Sequence, residues 1–266
     1  MPKDDISPTA ALWGSPGAAY ERISFGLNDG LGHAVQALWP RDGERVLDIG
    51  TGTGRAARMA AEMGAEVTGV DIAAPLLEAA RELSAHLRGR LSFRQAEAEA
   101  LPFEDAAFDG VLSTYGVMFA SQPKTAAAEL ARVTRPGGRM VLLTWLDDPE
   151  GYIATFFGLA GRYSDAPPPE VSPMDWGDED WIEQTLAGDF DLACQPLTTT
   201  LFAPDAETVW EEYLIGFGPV RATAEGLSAD RRADFREEFI ALHDRYRAGH
   251  GLRIERKALL VHGLRR

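Results

Sequence analysis

The amino-acid sequence predicts an α/β fold built on a mostly parallel β-sheet, and two features of the chain support this prediction. Short apolar runs that end in an acidic or polar residue alternate with helical patterns between residues 46 and 145. The first of these runs, from Val46 to Ile49, is followed directly by alternating glycines at Gly50, Gly52 and Gly54. A strand that leads into a glycine loop and then a helix begins the ligand site of a doubly wound sheet.

Composition and charge exclude several classes of protein. The chain has 266 residues, 45% of them hydrophobic, which is enough to bury a large core. Its 26 Lys and Arg against 41 Asp and Glu give a formal net charge of -15, so we expect no nucleic-acid partner. The single cysteine, Cys194, cannot form an intramolecular disulfide, and no Cys/His cluster predicts a metal site. The charged start of the chain and the lack of a long apolar stretch predict a cytoplasmic protein with no membrane partner.

The glycine loop narrows the class of ligand. A helix is predicted from Arg55 to Met63, and Gly64 is placed to end it. Thr53-Gly54-Arg55 does not supply the Gly-Lys-Ser/Thr ending of a phosphate-binding P-loop. The spacing is G-x-G-x-G with Asp48 two positions before the first glycine, whereas the dinucleotide fingerprint is G-x-G-x-x-G. Since glycine has no Cβ, we expect backbone N–H groups of this loop to face a polar ligand.

Two further strand patterns carry acidic residues at or after their ends. The segment from Glu66 to Asp71 predicts a second strand, and nucleotide-binding folds use a carboxylate at this place to accept hydrogen bonds from ribose hydroxyls. Ile72 comes next and offers an apolar surface for an adenine ring. A third strand is predicted from Leu91 to Arg94, and the sequence EAEALPF follows it at Glu97 to Phe103.

Two more strands complete the predicted parallel part of the sheet. The fourth strand runs from Phe108 to Ser113. Residues 114–119, with Tyr115 among them, lie beyond its carboxyl end, where ligands of open parallel sheets bind, so we expect them to face a ligand. A helix is predicted from Pro123 to Val133. A Pro-Gly-Gly turn at 136–138 then leads into a fifth strand from Met140 to Trp145.

In these motifs, in this order, the chain resembles the class I S-adenosylmethionine-dependent methyltransferases. The EAEALPF segment is similar to the D-A-E-x-L-P-F segment of the type 11 branch, which includes the ubiquinone and menaquinone biosynthesis enzymes. The resemblance implies a Rossmann-like, seven-stranded, mostly parallel sheet with an antiparallel last strand. It also implies S-adenosyl-L-methionine as cofactor and a small molecule that accepts its methyl group on O, N or C.

The resemblance also implies which residues bind the cofactor. Asp48 and the glycine loop would hold the methionine end, and Asp71 the ribose. Glu97 and the N–H of Ala98 would serve the adenine, although the family has Asp where this chain has Glu97. Tyr20, with Phe25 as the other candidate, would cover the aminocarboxylate. The full predicted set is Tyr20, Asp48, Gly50, Thr51, Gly52, Asp71, Ile72, Glu97, Ala98 and Ser113.

The chain is expected to form one continuous methyltransferase domain in four parts. Residues 1–40 would supply cover helices, with 1–14 loosely structured and one or two helices from Ala18 to Trp39. Residues 41–146 would bind the cofactor. Residues 147–190 would form a cap that includes an extended, proline-rich connection at 166–170. Residues 191–266 would supply the last two strands, Leu197 to Phe202 and Arg256 to His262, with an inserted helical segment at about 206–217 and 228–247.

The acceptor pocket and the catalytic groups are less constrained by the sequence. Aromatic residues in the later segments favour an apolar or planar acceptor, with core packing as the alternative: Trp145, Phe156, Phe157, Trp176, Trp181, Trp210, Tyr213 and Phe217. A sulfonium methyl is already activated, so alignment of the acceptor supplies most of the rate. A phenol or alcohol acceptor would benefit from a general base, and Tyr115 and His33 are the candidates.

Two other functions stay open. Every strong motif serves the methyl donor, so a protein that binds S-adenosylmethionine without transferring the methyl group fits the same pattern. A nicotinamide-dependent oxidoreductase shares the strand, the glycine loop and the ribose acid, but not the loop spacing or the EAEALPF segment.

Overall fold

A computed structural model of the protein describes residues 7–164 and 171–266. Its β-strands are β1 (Arg45–Ile49), β2 (Glu66–Asp71), β3 (Leu91–Gln95), β4 (Phe108–Thr114), β5 (Thr134–Trp145), β6 (Phe190–Ala203), β7 (Arg247–Ala248) and β8 (Gly251–Arg265). The α-helices are α1 (Pro8–Gly14), α2 (Tyr20–Phe25), α3 (Asn28–Leu38), α4 (Arg55–Glu62), α5 (Ala74–Leu83), α6 (Pro123–Val133), α7 (Tyr152–Tyr163), α8 (Glu179–Leu186), α9 (Ala206–Gly216), α10 (Gly218–Gly226) and α11 (Ala229–Asp244).

The strands form one large sheet in the order β3-β2-β1-β4-β5-β8-β6. Strands β1 to β5 pair in parallel, and β8 is antiparallel to both β5 and β6. The two-residue β7 pairs with the start of β8 and adds a short hairpin. The predicted fold class, a mostly parallel sheet with an antiparallel last strand, is therefore confirmed, and the short β7 is an eighth strand beside the seven that were predicted.

Helices pack on the sheet through small or aliphatic residues at helical spacing. In α4 the buried side chains are Ala56, Ala57, Ala60 and Ala61, and methyl groups allow the helix to approach β1 and β2 closely. In α3 the buried face is formed by Leu31, Ala34, Val35 and Leu38. These contacts fix the strand ends, and therefore the loops that follow them.

The N-terminal segment departs from the expectation of a loosely structured chain. Residues 1–6 lie outside the described residues, but Pro8–Gly14 forms α1. The Oγ of Ser7 accepts a hydrogen bond from the N–H of Ala10, and Pro8 occupies the first turn, where it loses no hydrogen bond. The Ser-Pro pair was the signal for this helix. Beyond it, the segment expected to hold one or two helices before residue 39 contains two, α2 and α3.

The last part of the chain contains more structure than the sequence predicted. Phe217 and the following Gly-Pro pair separate α9 from α10, so the insertion holds three helices in the described chain, and not two. Strand β6 begins at Phe190 and pairs along its whole length with β8. Pro196 within β6 is tolerated because β6 is the edge strand of the sheet. The proline-rich connection expected at 166–170 lies outside the described residues.

Two kinds of feature are absent from the part of the chain that the structure describes. None of its helices is long and apolar enough to cross a bilayer. No group of three or more His, Cys, Asp or Glu residues in the same ranges is placed to hold a metal ion.

Candidate cofactor and acceptor site

The carboxyl ends of β1, β2 and β4 open onto a cavity of about 250 Å³, which we call the first cavity. Part of the predicted cofactor set lies on its wall: Tyr20, Gly50, Gly52, Asp71, Ile72, Glu97 and Ala98. The wall also contains Gly116, Val117 and Phe119, from the segment expected to lie there beyond the fourth strand. Ser7, Thr9 and Trp13 line it as well, and the sequence analysis did not assign these three. The remaining predicted residues, Asp48, Thr51 and Ser113, do not line it.

The backbone N–H groups of the glycine loop are used within the protein. The N–H groups of Gly50 and Thr51 both donate to the carbonyl of Val70 at 2.9 Å. The N–H of Gly52 donates to Asp71 Oδ2, also at 2.9 Å. The expectation that these N–H groups face a ligand is therefore wrong. The cause is β2, whose last residues lie beside the loop and take its donors.

Gly50 is required by a close approach between two backbones. Its φ is +69°, and a Cβ on it would lie 2.6 Å from the Cα of Gly116. A Cβ on Gly116 would in turn lie 2.7 Å from the carbonyl oxygen of Ile49. The two glycines let the loops after β1 and β4 touch at the floor of the first cavity. The position of Gly116 beyond the fourth strand was expected, but its contact with Gly50 was not, because a glycine after a strand usually indicates only a turn.

Asp48 and Thr51 lie beneath the loop and do not line the first cavity, so their assignment as cofactor contacts stays a prediction. Thr51 Oγ1 donates to Asp48 Oδ2 at 2.6 Å, and Asp48 Oδ1 is buried with no hydrogen-bond partner in the described chain. Burial raises the pKa of Asp48 to about 7; the hydrogen bond from Thr51 opposes this rise and the charge of Asp71 adds to it. These two residues position the loop from below.

Ser113 also positions the backbone and does not line the cavity. It is fully buried at the end of β4. Its Oγ donates to the carbonyl of Ile49 at 2.7 Å and accepts from the N–H of Val117 at 2.9 Å. Ser113 thus connects the end of β1 to the turn after β4, and its assignment as a cofactor contact likewise stays a prediction.

Asp71 lies on the cavity wall with its carboxylate already oriented. Oδ2 accepts from Gly52 N–H, and Oδ1 accepts from Ala73 N–H at 2.9 Å. Burial raises the pKa of Asp71, while the hydrogen bonds from Ala73, Gly52 and Ile72 oppose that rise. Both oxygens keep lone pairs that the backbone does not use, so the group can accept hydrogen bonds from a bound diol.

Glu97 and Glu99 both line the first cavity, but only one of them has a free carboxylate. Glu99 Oε1 accepts from Ser121 Oγ at 3.0 Å and from Gln122 N–H at 3.1 Å. The carboxylate of Glu97 is exposed and forms no hydrogen bond within the described ranges. Geometry therefore favours Glu97 over Glu99 as the acid that meets a ligand, with Ala98 beside it.

The N-terminal helices are held to the glycine loop by one acidic residue. Glu21 on α2 accepts from Thr53 Oγ1 and from the guanidinium groups of Arg55 and Arg58, the latter at 2.8 Å. The next residue toward the N terminus, Tyr20, therefore lies over Gly52 and lines the first cavity. Phe25, the other candidate for this role, does not line that cavity, and its ring packs under the Arg55 guanidinium.

A second cavity of about 510 Å³ adjoins the first, and the two share a wall of Trp13, Tyr20, Tyr115 and Phe119. Aromatic residues predicted for an acceptor pocket separate into two groups. Trp145, Phe156, Phe157, Tyr213 and Phe217 line the second cavity. Trp176, Trp181 and Trp210 do not, and Trp176 is a fully buried core residue.

Neither predicted general base has the geometry for that role. The ring of Tyr115 stacks on Trp145 with centroids 4.0 Å apart, and its hydroxyl is fully buried. A Cβ on Gly30 would lie 3.0 Å from this hydroxyl, so the oxygen points into the core at α3. His33 is exposed on α3, its Nδ1 lies 2.7 Å from the Asp29 carbonyl, and it lines neither cavity.

A hydroxyl–imidazole pair at the second cavity was missed from the sequence. Tyr152 lines the cavity, and its hydroxyl lies 2.9 Å from Nε2 of the buried His243. His243 Nδ1 lies 2.7 Å from the Phe239 carbonyl, which can only accept. Nδ1 therefore carries the proton, and Nε2 of the neutral ring accepts from Tyr152. The available signal was spacing, since Phe235, Phe239 and His243 recur every fourth residue.

Comparison with known proteins agrees with this site. A family model described as a methyltransferase domain matches residues 47–142. An uncharacterized protein of Mycobacterium tuberculosis is 42% identical over 144 residues, 53% of this chain and 52% of that protein. The demethylmenaquinone methyltransferase of Renibacterium salmoninarum is 31% identical over 166 residues, 58% of this chain and 68% of that enzyme. The chain thus spans about half the length of the first of these relatives.

Solved structures share the fold. The YcgJ protein of Bacillus subtilis superposes with a TM-score of 0.62 at 23% identity, over 89% of this chain and 97% of that one. The family model extends from β1 to β5, which carry the acid, the glycine loop and the floor of the first cavity. The similarity to the Renibacterium enzyme covers 68% of that enzyme at 31% identity. The chain therefore belongs to the class I S-adenosylmethionine-dependent methyltransferases, whose cofactor is S-adenosyl-L-methionine.

Proposed function

We propose that this protein binds S-adenosyl-L-methionine in the first cavity and transfers its methyl group to a small molecule in the second cavity. The main support for the proposal is that backbone N–H groups of the glycine loop already donate hydrogen bonds within the protein. A pyrophosphate needs backbone N–H groups at such a loop, and here Val70 and Asp71 take those of Gly50, Thr51 and Gly52. The oxidoreductase alternative is therefore disfavoured.

The electrostatics of the first cavity favour a cationic ligand. Asp71 lies on its wall, and Asp48 lies beneath the loop with one oxygen unpaired. In their ionised form these two buried carboxyl groups attract positive charge and repel phosphate, and a bound cation would lower the pKa values that burial raises. S-adenosylmethionine carries an ammonium and a sulfonium, so the residues present fit this cofactor.

Each part of the cofactor has residues of matching chemistry on the wall. Asp71 would accept hydrogen bonds from the ribose, and Ile72 would contact the face of the adenine. Glu97 would accept from the adenine amino group, with the N–H of Ala98 donating to a ring nitrogen. Gly52 and Tyr20 would enclose the methionine end. Glu21 holds Tyr20 in place, because it joins α2 to α4.

When bound, the cofactor supplies an activated methyl group, and the residues of this chain would align the acceptor with it. The wall shared by the two cavities consists of aromatic rings, and these can orient an apolar or planar molecule and exclude water. The cover segment at 1–40 and the segments at 147–190 and 191–266 would close the acceptor side of a single domain whose cofactor-binding core is 41–146.

We propose that Tyr152 and His243 replace Tyr115 and His33 as the proton-accepting groups. An acceptor hydroxyl in the second cavity would pass its proton to Tyr152 as Tyr152 passes its own to Nε2 of His243. Burial lowers the pKa of His243, which the bond to the Phe239 carbonyl opposes, and burial raises the pKa of Tyr152. Both groups are therefore neutral before the transfer, and the two protons would move together.

Two measurements test this function. Asp71→Asn should weaken binding of S-adenosylhomocysteine at least about tenfold, because one charge-assisted hydrogen bond to the ribose is lost. Glu104→Gln, an exposed acid that does not line the first cavity, is the matched control. Unchanged affinity of the Asp71 variant would remove the ribose assignment.

Transfer is measured separately with S-adenosylmethionine that is radiolabelled in the methyl group and pools of small aromatic and aliphatic acceptors. Label in an extractable product would support the enzyme. Tight cofactor binding with no labelled product from any pool would favour the alternative, a protein that binds the cofactor without transfer.

A further inference from the structure

Arg256 is a buried cation in the wall of the second cavity. It lies in β8 opposite Thr199 of β6, and the whole residue is 4% exposed. Its Nη2 donates to the carbonyl of Gly26 at 2.6 Å, and its Nε is buried with no hydrogen-bond partner in the described chain. The guanidinium also lies 5.6 Å from the centre of the Trp145 ring.

No carboxylate among the described residues pairs with this arginine. The neighbouring outward-facing residues of β8 behave differently: Arg253 pairs with Glu255 at 2.8 Å, and Lys257 pairs with Asp148 at 2.9 Å. Along β8, residues 252, 254, 256 and 258 are buried, while 253, 255 and 257 are exposed. Arg256 therefore occupies an inward position between Ile254 and Ala258, which a strand normally fills with an apolar side chain.

The other charged groups of the second cavity do not neutralise Arg256. Glu21 is already bonded to Arg55 and Arg58. Glu212 lines the cavity but forms no ion pair within the described ranges, and Arg22 adds a second positive charge at its exposed edge. The acids and bases that line this cavity are Glu21, Glu212, Arg22, Arg55 and Arg256, which leaves one net positive charge.

An unpaired buried charge is costly, because desolvation is not repaid by a counter-ion. The cation–π contact with Trp145 and the single carbonyl offset part of that cost. Arg256 lies in an aromatic cavity that shares a wall with the proposed methyl-donor site. A buried cation at this position is suited to bind an anionic ligand. Arginine in particular matches the planar oxygens of a carboxylate.

We propose that the methyl acceptor is a small aromatic or apolar molecule with one carboxylate, which pairs with Arg256. This inference rests on the proposed function and specifies its substrate class. The carboxylate binds at β8, the apolar body contacts Trp145 and Phe156, and the atom to be methylated faces the shared wall at Tyr115.

The test uses the full-length protein saturated with S-adenosylhomocysteine and two matched pairs of probes. The pairs are 2-naphthoate with 2-naphthamide, and decanoate with decanamide, titrated by calorimetry. At least one acid should bind about tenfold more tightly than its amide, as one charge-assisted pair provides. Equal affinity within both pairs, or no binding by either acid, would overturn the proposal.

Variants assign the preference to Arg256. Arg256→Gln should reduce the acid-to-amide ratio to about one, and Arg256→Lys should keep part of it because the charge is retained. Arg253→Gln, on the same strand but outside both cavities, should leave the ratio unchanged. A ratio that survives in Arg256→Gln would refute the assignment. Because each ratio compares two ligands on the same protein, partial unfolding of a variant does not alter it.

The two proposals fail in different ways. If S-adenosylhomocysteine does not bind, the proposed function is wrong, whatever the probes do. If it binds normally but acid and amide bind equally, the proposed function stands and only the carboxylate proposal is refuted.

Discussion

Asp48→Asn offers a quantitative test of the electrostatics beneath the glycine loop. The pKa of Asp48 rises from 3.8 to about 7 on folding, chiefly through burial. A group whose pKa is raised by folding stabilises the fold below its unfolded pKa, and this contribution is lost as the pH rises toward the folded pKa. A shift of about three units at ~1.4 kcal/mol per unit corresponds to about 4 kcal/mol of stability lost by about pH 7.

Asparagine keeps an oxygen that can accept from Thr51 but does not ionise. The free energy of unfolding, measured in urea on ligand-free protein between about pH 4 and about pH 8, should therefore shift in favour of Asp48→Asn as the pH rises. The difference from the wild type should grow by about 1.4 kcal/mol per pH unit and become constant above about pH 7. Asp234→Asn, an exposed change on α11, should give no such slope. A flat difference for Asp48→Asn would show that this carboxyl ionises as in water.

Three further substitutions test the site. Gly116→Ala places a Cβ 2.8 Å from the Cα of Gly50, so the affinity for S-adenosylhomocysteine should fall about tenfold or more. Gly158→Ala is the control, because its new Cβ meets open space and should not alter the affinity. Equal affinities of the two variants in a titration would contradict the close approach of Gly116 to Gly50. Tyr115→Phe removes only a buried hydroxyl, so the turnover rate with an identified acceptor should change less than about twofold. A hundredfold loss of turnover would instead show that Tyr115 acts as the general base. Glu21→Gln weakens the contacts between α2 and α4, so amide hydrogen exchange across α2 should accelerate. Unchanged exchange rates would show that these ion pairs do not hold α2 in place.

Much of the sheet was predictable because its signals are local. The run from Val46 to Ile49 and the acid at Asp71 each lie within a few residues of the structure that they specify. The Pro-Gly-Gly segment differs from its prediction as a turn before the fifth strand, because β5 already begins at Thr134 and contains residues 136–138, where its register with β4 shifts. Helix α6 has the predicted bounds, Pro123–Val133, because its proline sits in the first turn and its alanines recur on one face. The order of these signals then predicted the class of sheet.

The details of the site depend on contacts that no local pattern contains. The glycine loop loses its free donors only because Val70 and Asp71, about twenty residues later, lie beside it. The direction of the Tyr115 hydroxyl depends on α3, and the hydrogen bond between Tyr152 and His243 joins residues 91 positions apart. Arg256 was detectable in principle, because it is a charged residue at an alternating position that is otherwise apolar in β8. The chain contains many arginines, however, and only the pairing of β8 with β6 indicates that this one is buried.

We propose that the first cavity binds S-adenosylmethionine and not a dinucleotide, and calorimetric titration of the wild-type protein with S-adenosylhomocysteine, NAD⁺ and NADP⁺ distinguishes the two. We expect one molecule of S-adenosylhomocysteine bound per chain with micromolar or tighter affinity, and no binding by either dinucleotide. Binding of NAD⁺ or NADP⁺, or no binding of S-adenosylhomocysteine, would contradict it.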